Sequence, residues 1–205
     1  MSEVVTETIA LGGPGGATLE LARPRSSEAL LDEDAFGDDE FLPYWAELWP
    51  SGRALARAVA ARRLGGARVL ELGCGLGLPS LAAARAGARV TATDWSPDAL
   101  AFVARNAALN GVAIATSVVD WRAAEALEAQ APWDLVLAAD VLYEARNVAP
   151  LLDLLPRLGP EVLLADPGRA TAQPFFAAAP AHWALRSWPD DVHPAVRVHR
   201  LRRPA

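Results

Sequence analysis

The residues of this sequence that are best suited to chemistry are carboxylates that end or follow short apolar runs, and glycines close behind one of them. The carboxylates are Glu71, Asp94, Asp120, Asp140 and Asp166, and the glycines are Gly73, Gly75 and Gly77. Carboxylates accept hydrogen bonds from hydroxyl and amine groups, and a backbone without Cβ lets a ligand approach closely. The pattern predicts a binding site for a ligand that carries such groups.

The glycines lie between a predicted strand and a predicted helix. The apolar run 69–72 precedes them, and Pro79 follows them at a position that suits the first turn of a helix, where no backbone N–H is needed. A dinucleotide-binding turn would have its third glycine at position 78, which is Leu78, so hydride transfer with NAD is disfavoured. An ordinary glycine-rich turn without a ligand is the alternative.

These residues are positioned by a chain that alternates between strands and helices. The predicted strands are 68–72, 88–94, 113–119, 133–139 and 161–165, and the predicted helices are 78–86, 97–109, 122–130 and 146–158. Such alternation implies a parallel sheet with helices on both faces. Segments 183–188 and 196–201 predict an antiparallel pair at the sheet edge. The fold class is therefore α/β: a Rossmann-like, doubly wound, mostly parallel seven-stranded sheet with an antiparallel C-terminal strand pair.

The N-terminal region has a different pattern. Segments 4–10 and 18–22 predict a β-hairpin extension around a glycine-rich loop, and the acidic stretch 26–41 predicts a short helix and a loop. Ser51 is expected to cap a helix that runs from residue 52 to about residue 64. We divide the chain into an N-terminal accessory segment, 1–45, and a ligand-binding domain, 46–205.

Composition limits the classes of partner. The chain has 205 residues, of which 52% are hydrophobic and 21% are charged, so it can bury a core. Its formal net charge of −6 argues against a nucleic-acid partner, because phosphate contacts need a basic face. All 19 basic residues are arginine. No apolar run has the length of a membrane span, and we see no signal-peptide pattern, so no membrane partner is expected.

Cysteine and histidine usage indicates the compartment and argues against a metal. Cys74 is the only cysteine, so we expect neither a disulfide framework nor a cysteine zinc site. His182, His193 and His199 have no metal-ligand spacing, so no metal is expected. These observations fit a reducing cytoplasm, and we expect a cytoplasmic monomer.

Several motifs taken together resemble family-16 methyltransferases, which use S-adenosylmethionine (SAM). They are WPSG at 49–52, ELGCGLG at 71–77, Asp94, DW at 120–121 and DVLY at 140–143. The glycine motif alone resembles the wider class of seven-strand SAM-dependent methyltransferases. Family 16 includes many protein-lysine N-methyltransferases, and nicotinamide N-methyltransferase is a more distant relative. The sequence DPGR at 166–169 is similar to the branch that methylates lysines of the electron-transfer flavoprotein β subunit.

The resemblance implies a role for each of these motifs. The residues expected to bind SAM are Trp49, Glu71, Gly73, Gly75, Gly77, Asp94, Trp95, Asp120, Trp121 and Asp140, and the expected catalytic residues are Asp140 and Tyr143. Within this set the glycine motif takes the methionine part, Asp94 the ribose, and Asp120 with Trp121 the adenine. Asp140 and Tyr143 lie at the point of methyl transfer.

The residues themselves leave alternatives open. Asp94 precedes Ser96 and Pro97, so it could cap a helix instead of binding ribose. Asp120 could be a turn residue and Trp121 a packed core residue. The aromatic residues around position 45 could surround a sulfonium or an amine, or they could pack in the core, which we favour for Trp45.

The function implied by the resemblance is SAM-dependent N-methyl transfer to a lysine of a protein substrate. A small amine or a heteroaromatic nitrogen is the alternative acceptor, and a SAM-binding protein without activity is a further alternative. The acidic stretch 28–40 could attract a basic segment of a protein partner, or it could be a solvated surface loop.

Overall fold

The computed structural model describes residues 3–12, 17–27, 30 and 43–204. The strands are β1 (Val4–Gly12), β2 (Ala17–Pro24), β3 (Arg68–Leu72), β4 (Arg89–Asp94), β5 (Ile114–Val118), β6 (Leu135–Ala139), β7 (Glu161–Asp166), β8 (Ala184–Pro189) and β9 (Arg197–Arg202). The helices are α1 (Pro50–Ala60), α2 (Leu78–Arg85), α3 (Pro97–Leu109), α4 (Glu125–Glu128), α5 (Val148–Leu158) and α6 (Gln173–Ala178). Most of the predicted glycine-rich loop and nearly all of the acidic stretch 26–41 lie outside the described residues.

Seven strands form one sheet in the order β5-β4-β3-β6-β7-β9-β8. The strands β3 to β7 are parallel to one another, while β9 runs antiparallel to β7 and β8 antiparallel to β9. This confirms the predicted fold class, including the antiparallel C-terminal pair. The chain extends from β3 to one side through β4 and β5, then crosses back to place β6 beside β3. The strand order therefore reverses between β3 and β6, where open α/β sheets bind their ligands.

The sheet is covered on both faces because successive residues of its central strands point to opposite sides. Val69 and Leu137 belong to a hydrophobic layer shared with α1 and α2. Leu70 and Val136 belong to a second layer shared with α5 and α6. The continuous apolar runs of β3 and β6 are explained by this double burial, which parallel sheets require.

The N-terminal hairpin packs on the first of these layers. β1 and β2 pair in antiparallel register, and Ile9 and Leu21 are buried in the same cluster as Leu55 of α1 and Leu78 of α2. The predicted hairpin is therefore confirmed, and it shares the core of the larger sheet.

Two asparagines, Asn106 within α3 and Asn110 at its C-cap, bind the backbone of β2. The amide oxygen of Asn106 accepts from the N–H of Ala22 at 2.7 Å, and its amide nitrogen donates to the carbonyls of Ala22 at 3.1 Å and Leu76 at 3.0 Å. Asn110 makes the corresponding pair of bonds with the backbone of Glu20. These side chains satisfy the free edge of β2 as a neighbouring strand would.

The start of α1 differs from the prediction. The helix begins at Pro50, Trp49 occupies the N-cap position without a capping hydrogen bond from its side chain, and the helix ends at Ala60. Ser51 is not the cap: its buried hydroxyl has no hydrogen-bond partner among the described residues. Pro50 explains the early start, because a proline is suited to the first helical position and lacks the N–H that a cap would satisfy.

The helix α4 is shorter than predicted, covering only Glu125–Glu128. Asp120 accepts a hydrogen bond from the N–H of Arg122 at 2.9 Å, and this local turn takes the place of the first helical turn. None of the helices in the described part of the chain has the combination of length and hydrophobicity needed to cross a bilayer.

We predict that Asn106→Ala lowers the free energy of unfolding by about 2–4 kcal/mol, because it leaves three buried backbone groups without partners. Urea unfolding followed by circular dichroism measures the change. Arg105→Ala, at an exposed neighbouring position of α3, is the matched control and should remain within about 0.5 kcal/mol of wild type. Equal losses in the two variants would contradict the proposed contribution of Asn106.

Candidate active site

A glycine turn follows β3 and begins α2. Gly75 and Gly77 have φ values of +50° and +77°, a region that side chains with Cβ rarely adopt. A Cβ on Gly77 would lie 2.9 Å from a methyl of Val103, and a Cβ on Gly75 would lie 3.1 Å from the carbonyl oxygen of Trp45. Both backbone conformation and close packing therefore explain why glycine occupies these positions.

Glu71 lies beneath this turn, with 1% of its surface exposed. The backbone N–H and the hydroxyl of Ser80 both donate to one oxygen of its carboxylate, which ties the end of β3 to the first turn of α2. Burial raises the pKa of Glu71 to about 8, with those two hydrogen bonds opposing the shift. Burial likewise raises the pKa of the neighbouring Cys74 thiol, so this cysteine is not an activated nucleophile.

Asp94 joins the ends of two strands. One of its carboxylate oxygens accepts from the N–H of Gly75 at 2.9 Å, and the other accepts from the N–H of Ser96 at 3.0 Å. Burial raises the pKa of Asp94. The side-chain cap of α3 is Ser96, whose hydroxyl accepts from the N–H of Ala99. Each oxygen of Asp94 keeps a lone pair that can accept from a ligand.

Asp140 and Tyr143 form a corner after β6. Asp140 has φ +57°, in the left-handed region that aspartate tolerates better than most side chains. The turn is held from outside by the amide of Asn147, which donates to the carbonyl of Val141 at 3.0 Å, and by the hydroxyl of Thr171, which donates to the carbonyl of Leu142 at 2.6 Å. These bonds fix the direction in which the two side chains of the corner point.

The phenol of Tyr143 remains protonated at neutral pH. Burial, with a smaller contribution from the charge of Glu144, raises its pKa to about 12. Its ring packs edge-on against that of Tyr44, with centroids 5.4 Å apart. Tyr143 is therefore a hydrogen-bond donor held in an aromatic environment.

Arg169 is a site residue that the sequence did not reveal. Its Nε donates to Asp140 at 2.6 Å, and its guanidinium lies over the ring of Trp49, 5.9 Å from the centroid. One oxygen of Asp166 accepts from the N–H groups of Gly168 and Arg169, which closes the turn after β7. The only sequence signal was the DPGR motif, which carried no assigned role.

A cavity of about 290 Å³ lies above the β3 and β6 ends. Its lining includes ten of the predicted residues: Trp49, Glu71, Gly73, Gly75, Gly77, Asp94, Trp95, Trp121, Asp140 and Tyr143. Residues outside the predicted set also line it, among them Tyr44, Trp45, Glu47, Cys74 and Arg169. The lining includes four carboxylic side chains and six aromatic ones, and both kinds of group attract a cationic ligand.

Of the two residues predicted to bind adenine, Trp121 lines the cavity and Asp120 lies outside it. Trp121 lines the cavity, and a Cβ on Gly73 would lie 3.1 Å from its ring. Asp120 is exposed, pairs with Arg122 at 3.1 Å and does not belong to the cavity lining. The adenine role of Asp120 stays a prediction. Trp45 lines the cavity and also packs on Phe102, with ring centroids 5.5 Å apart.

We predict that Glu71 makes stability fall as the pH rises from about 6.5 to about 8. A carboxyl whose pKa is raised on folding stabilises the folded state below its unfolded value of 4.5, and this contribution is lost as the pH approaches about 8. The slope from one such group reaches about 1.4 kcal/mol per pH unit. His199, whose pKa burial lowers to about 4, acts only below this window.

Urea unfolding at several pH values measures this slope in wild type and in Glu71→Gln. The variant should show a shallower slope, and the difference isolates Glu71 from the other buried acids. Glu125→Gln, at an exposed position on α4, should keep the wild-type slope. Identical slopes in wild type and Glu71→Gln would show that the buried carboxyl does not titrate as stated.

Comparison with known proteins agrees with this geometry. The family model described as lysine methyltransferase matches residues 44–177. The electron transfer flavoprotein beta subunit lysine methyltransferase of Xenopus laevis is 38% identical over 136 residues, which are 62% of this chain and 54% of that protein. The ubiquinone biosynthesis O-methyltransferase of Xylella fastidiosa is 33% identical over 137 residues, 63% of this chain and 54% of that protein. The chain thus spans about half the length of the curated relatives it matches.

Solved structures show the same fold at lower identity. The T. thermophilus 16S rRNA N2 G1207 methyltransferase, in complex with AdoMet and guanosine, has a TM-score of 0.71 at 17% identity and covers 100% of this chain and 52% of its own. The ribosomal protein L11 methylase of Lactobacillus delbrueckii has a TM-score of 0.56 at 23% identity, and the match covers 76% of this chain and 79% of that protein. By its fold, its motifs and the extent of the family match, the chain belongs to the lysine methyltransferase family.

Proposed function

We propose that the protein is a SAM-dependent N-methyltransferase that acts on a lysine side chain of a protein. The observation that carries the proposal is the position of one cavity across the β3–β6 reversal. Asp94 and the glycine turn form one side of it, and the corner of Asp140 and Tyr143 forms the other. A cofactor and an acceptor can therefore meet within a single site.

The cofactor side has the chemistry that SAM needs. Asp94 holds two oxygens with spare lone pairs for the ribose hydroxyls. Glu71, whose pKa of about 8 leaves it mostly protonated at neutral pH, becomes ionised when the cationic methionine part binds beside it. Trp49, Trp95 and Trp121 offer aromatic faces to the sulfonium or the adenine. For Asp120 to bind the adenine amine, its ion pair with Arg122 must break so that the carboxylate can turn towards the cavity.

The acceptor side positions a nitrogen. When bound, SAM supplies an activated methyl group: the nitrogen lone pair forms the new N–C bond, and the electron pair of the broken S–C bond stays on sulfur. Asp140 accepts an N–H of the acceptor, and the protonated phenol of Tyr143 fixes its approach. Alignment of two bound reactants contributes up to about 7–11 kcal/mol to lowering a barrier. No strong general base is needed if the amine enters the site uncharged.

The proposed acceptor is a protein because of the lysine methyltransferase family match and because several relatives are named for the electron transfer flavoprotein beta subunit. That subunit is the first substrate to test. We further propose that the protein acts as a monomer in the cytoplasm, without nucleic acid or membrane as a partner, as its acidic net charge of −6 and single cysteine suggest.

The assay uses SAM that carries a labelled methyl group, with purified electron transfer flavoprotein β subunit and, in parallel, a lysate of the host that lacks this protein. We expect label on a protein band and a lysine that gains the mass of one methylene or more. The chain itself has no lysine, so lysine self-methylation cannot produce the signal. Label confined to small molecules would move the assignment to the alternative acceptor class, and SAM binding without any transfer would rule out an enzyme.

We predict that substitutions on the two sides of the cavity have different effects. Asp94→Ala should weaken SAM binding about tenfold or more, which is about 1.4 kcal/mol, because the ribose loses its acceptor. Tyr143→Phe and Asp140→Ala should lower kcat by about tenfold to a hundredfold with a smaller change in SAM affinity. Calorimetry measures binding, and methyl incorporation measures turnover.

Asp98→Ala is the matched control for these variants, since Asp98 lies exposed in the first turn of α3, four residues beyond Asp94. It should match wild type in both measurements. An Asp94→Ala protein that is folded and binds SAM with unchanged affinity would contradict the ribose role.

A further inference from the structure

The carboxylate at the acceptor side of the cavity is already paired. Asp140, whose side chain is 6% exposed, forms an ion pair with Arg169, whose side chain is 33% exposed. Among the residues that the structure describes, the second oxygen of Asp140 has no hydrogen-bond partner, and neither have the two terminal nitrogens of Arg169. An acceptor nitrogen at this corner therefore meets a carboxylate whose charge is largely balanced.

The Arg169 guanidinium is held in place from two sides. Asp140 accepts from its Nε, and its guanidinium carbon lies over the ring of Trp49, 5.9 Å from the centroid. The backbone turn that carries Arg169 is closed by Asp166. The side chain of Arg169 is thus not needed for the turn, and its position beside Asp140 calls for another explanation.

Arg169 is the single cation among the described residues that line the cavity. The acids facing the same space are Glu47, Glu71, Asp94 and Asp140; Asp166 lies behind the corner, and Glu144 and Arg146 lie beside Tyr143. Glu71 and Asp94 lie on the cofactor side. Arg169 is therefore the cavity-lining group that offsets the negative charge of Asp140, with which it is paired.

We propose that Arg169 is a positioning residue that makes this site take up the acceptor lysine as the uncharged amine. The inference rests on the proposed function. A lysine ammonium loses its hydration when it enters the cavity and needs an unbalanced anion in return. The ion pair with Arg169 balances the negative charge of Asp140, and the sulfonium of the cofactor repels a further positive charge. An uncharged amine can still donate one N–H to the open oxygen of Asp140 while its lone pair points at the methyl group.

The consequence for rate is large because free lysine is mostly protonated. With an ordinary pKa of about 10.4, only about one lysine in a thousand is uncharged near pH 7.5. Only the uncharged amine has a lone pair for the transfer. A site that disfavours the ammonium shifts this balance before the reaction begins, and the proton is released to solvent on entry.

The test is a comparison of wild type, Arg169→Gln and Arg169→Lys across about pH 6.5 to 9.5, with labelled SAM and the protein substrate that the methylation assay identifies. In Arg169→Gln the unpaired Asp140 should bind the ammonium, so KM stays equal or falls. We expect kcat near pH 7.5 to drop about tenfold or more. The rise of kcat with pH should move upward by about one pH unit or more, so that activity recovers at high pH.

Two variants separate charge from structure. Arg169→Lys keeps the cation, so its pH profile should stay close to that of wild type even if its kcat is lower. Because this variant introduces a lysine into the cavity, only label on the substrate protein is counted. Arg186→Gln, at an exposed position on β8, should match wild type throughout. SAM affinity measured by calorimetry confirms that each variant is folded.

The outcomes distinguish this inference from the proposed function. Two results for Arg169→Gln would overturn the inference and leave methyl transfer intact. One is a kcat that falls by the same factor at all pH values, and the other is a pH profile of kcat that coincides with that of wild type. A displaced profile in Arg169→Gln that Arg169→Lys restores supports it. A wild-type protein that methylates no protein removes the proposed function, and the inference falls with it.

Discussion

The site depends on the carboxylate of Asp94, which accepts hydrogen bonds both from the glycine turn after β3 and from the start of α3. The glycine turn has no side chains to hold it, so its shape must be fixed by groups outside it. Asp94 fixes it from the neighbouring strand, and Glu71 fixes the helix start from below through Ser80. The floor of the cavity is therefore backbone braced by buried acids, which is costly unless each acid has hydrogen-bond donors. Both acids have two.

The sequence predicted those features that arise from local pattern. The alternation of strand and helix patterns predicted the sheet and the helices on both of its faces, because a parallel sheet has both faces buried. Three of the five acids at strand ends, Glu71, Asp94 and Asp140, line the cavity, because the carboxyl ends of parallel strands meet at one edge. Asp166 closes the turn after β7 instead. Asp120 departs from that rule because β5 is the edge strand of the sheet. Its carboxylate lies in solvent, and an arginine two residues away pairs with it.

The features that the sequence did not predict join residues that are distant along the chain. Arg169 and Asp140 are 29 positions apart, and Asn106 and Ala22 are 84 apart. No periodicity or capping rule links such pairs, since each depends on how two elements pack. The prediction for the start of α1 was wrong for a local reason. Serine and proline both occur at helix starts, and the helix begins at Pro50 instead of being capped by Ser51.

The charges in the cavity are divided between neighbouring strands, and this division follows from the topology. Glu71 and Asp94 lie at the ends of β3 and β4 and carry no cationic partner among the described residues. Burial raises the pKa of both, so a cation that binds beside them favours their ionised forms. Asp140 directly follows β6, which lies next to β7, and the turn after β7 brings Arg169 within reach of it. A cationic methyl donor and an uncharged nucleophile have opposite electrostatic needs. Under the proposed function, the strand reversal between β3 and β6 allows one sheet edge to meet both needs, because each side takes its partners from a different half of the sheet.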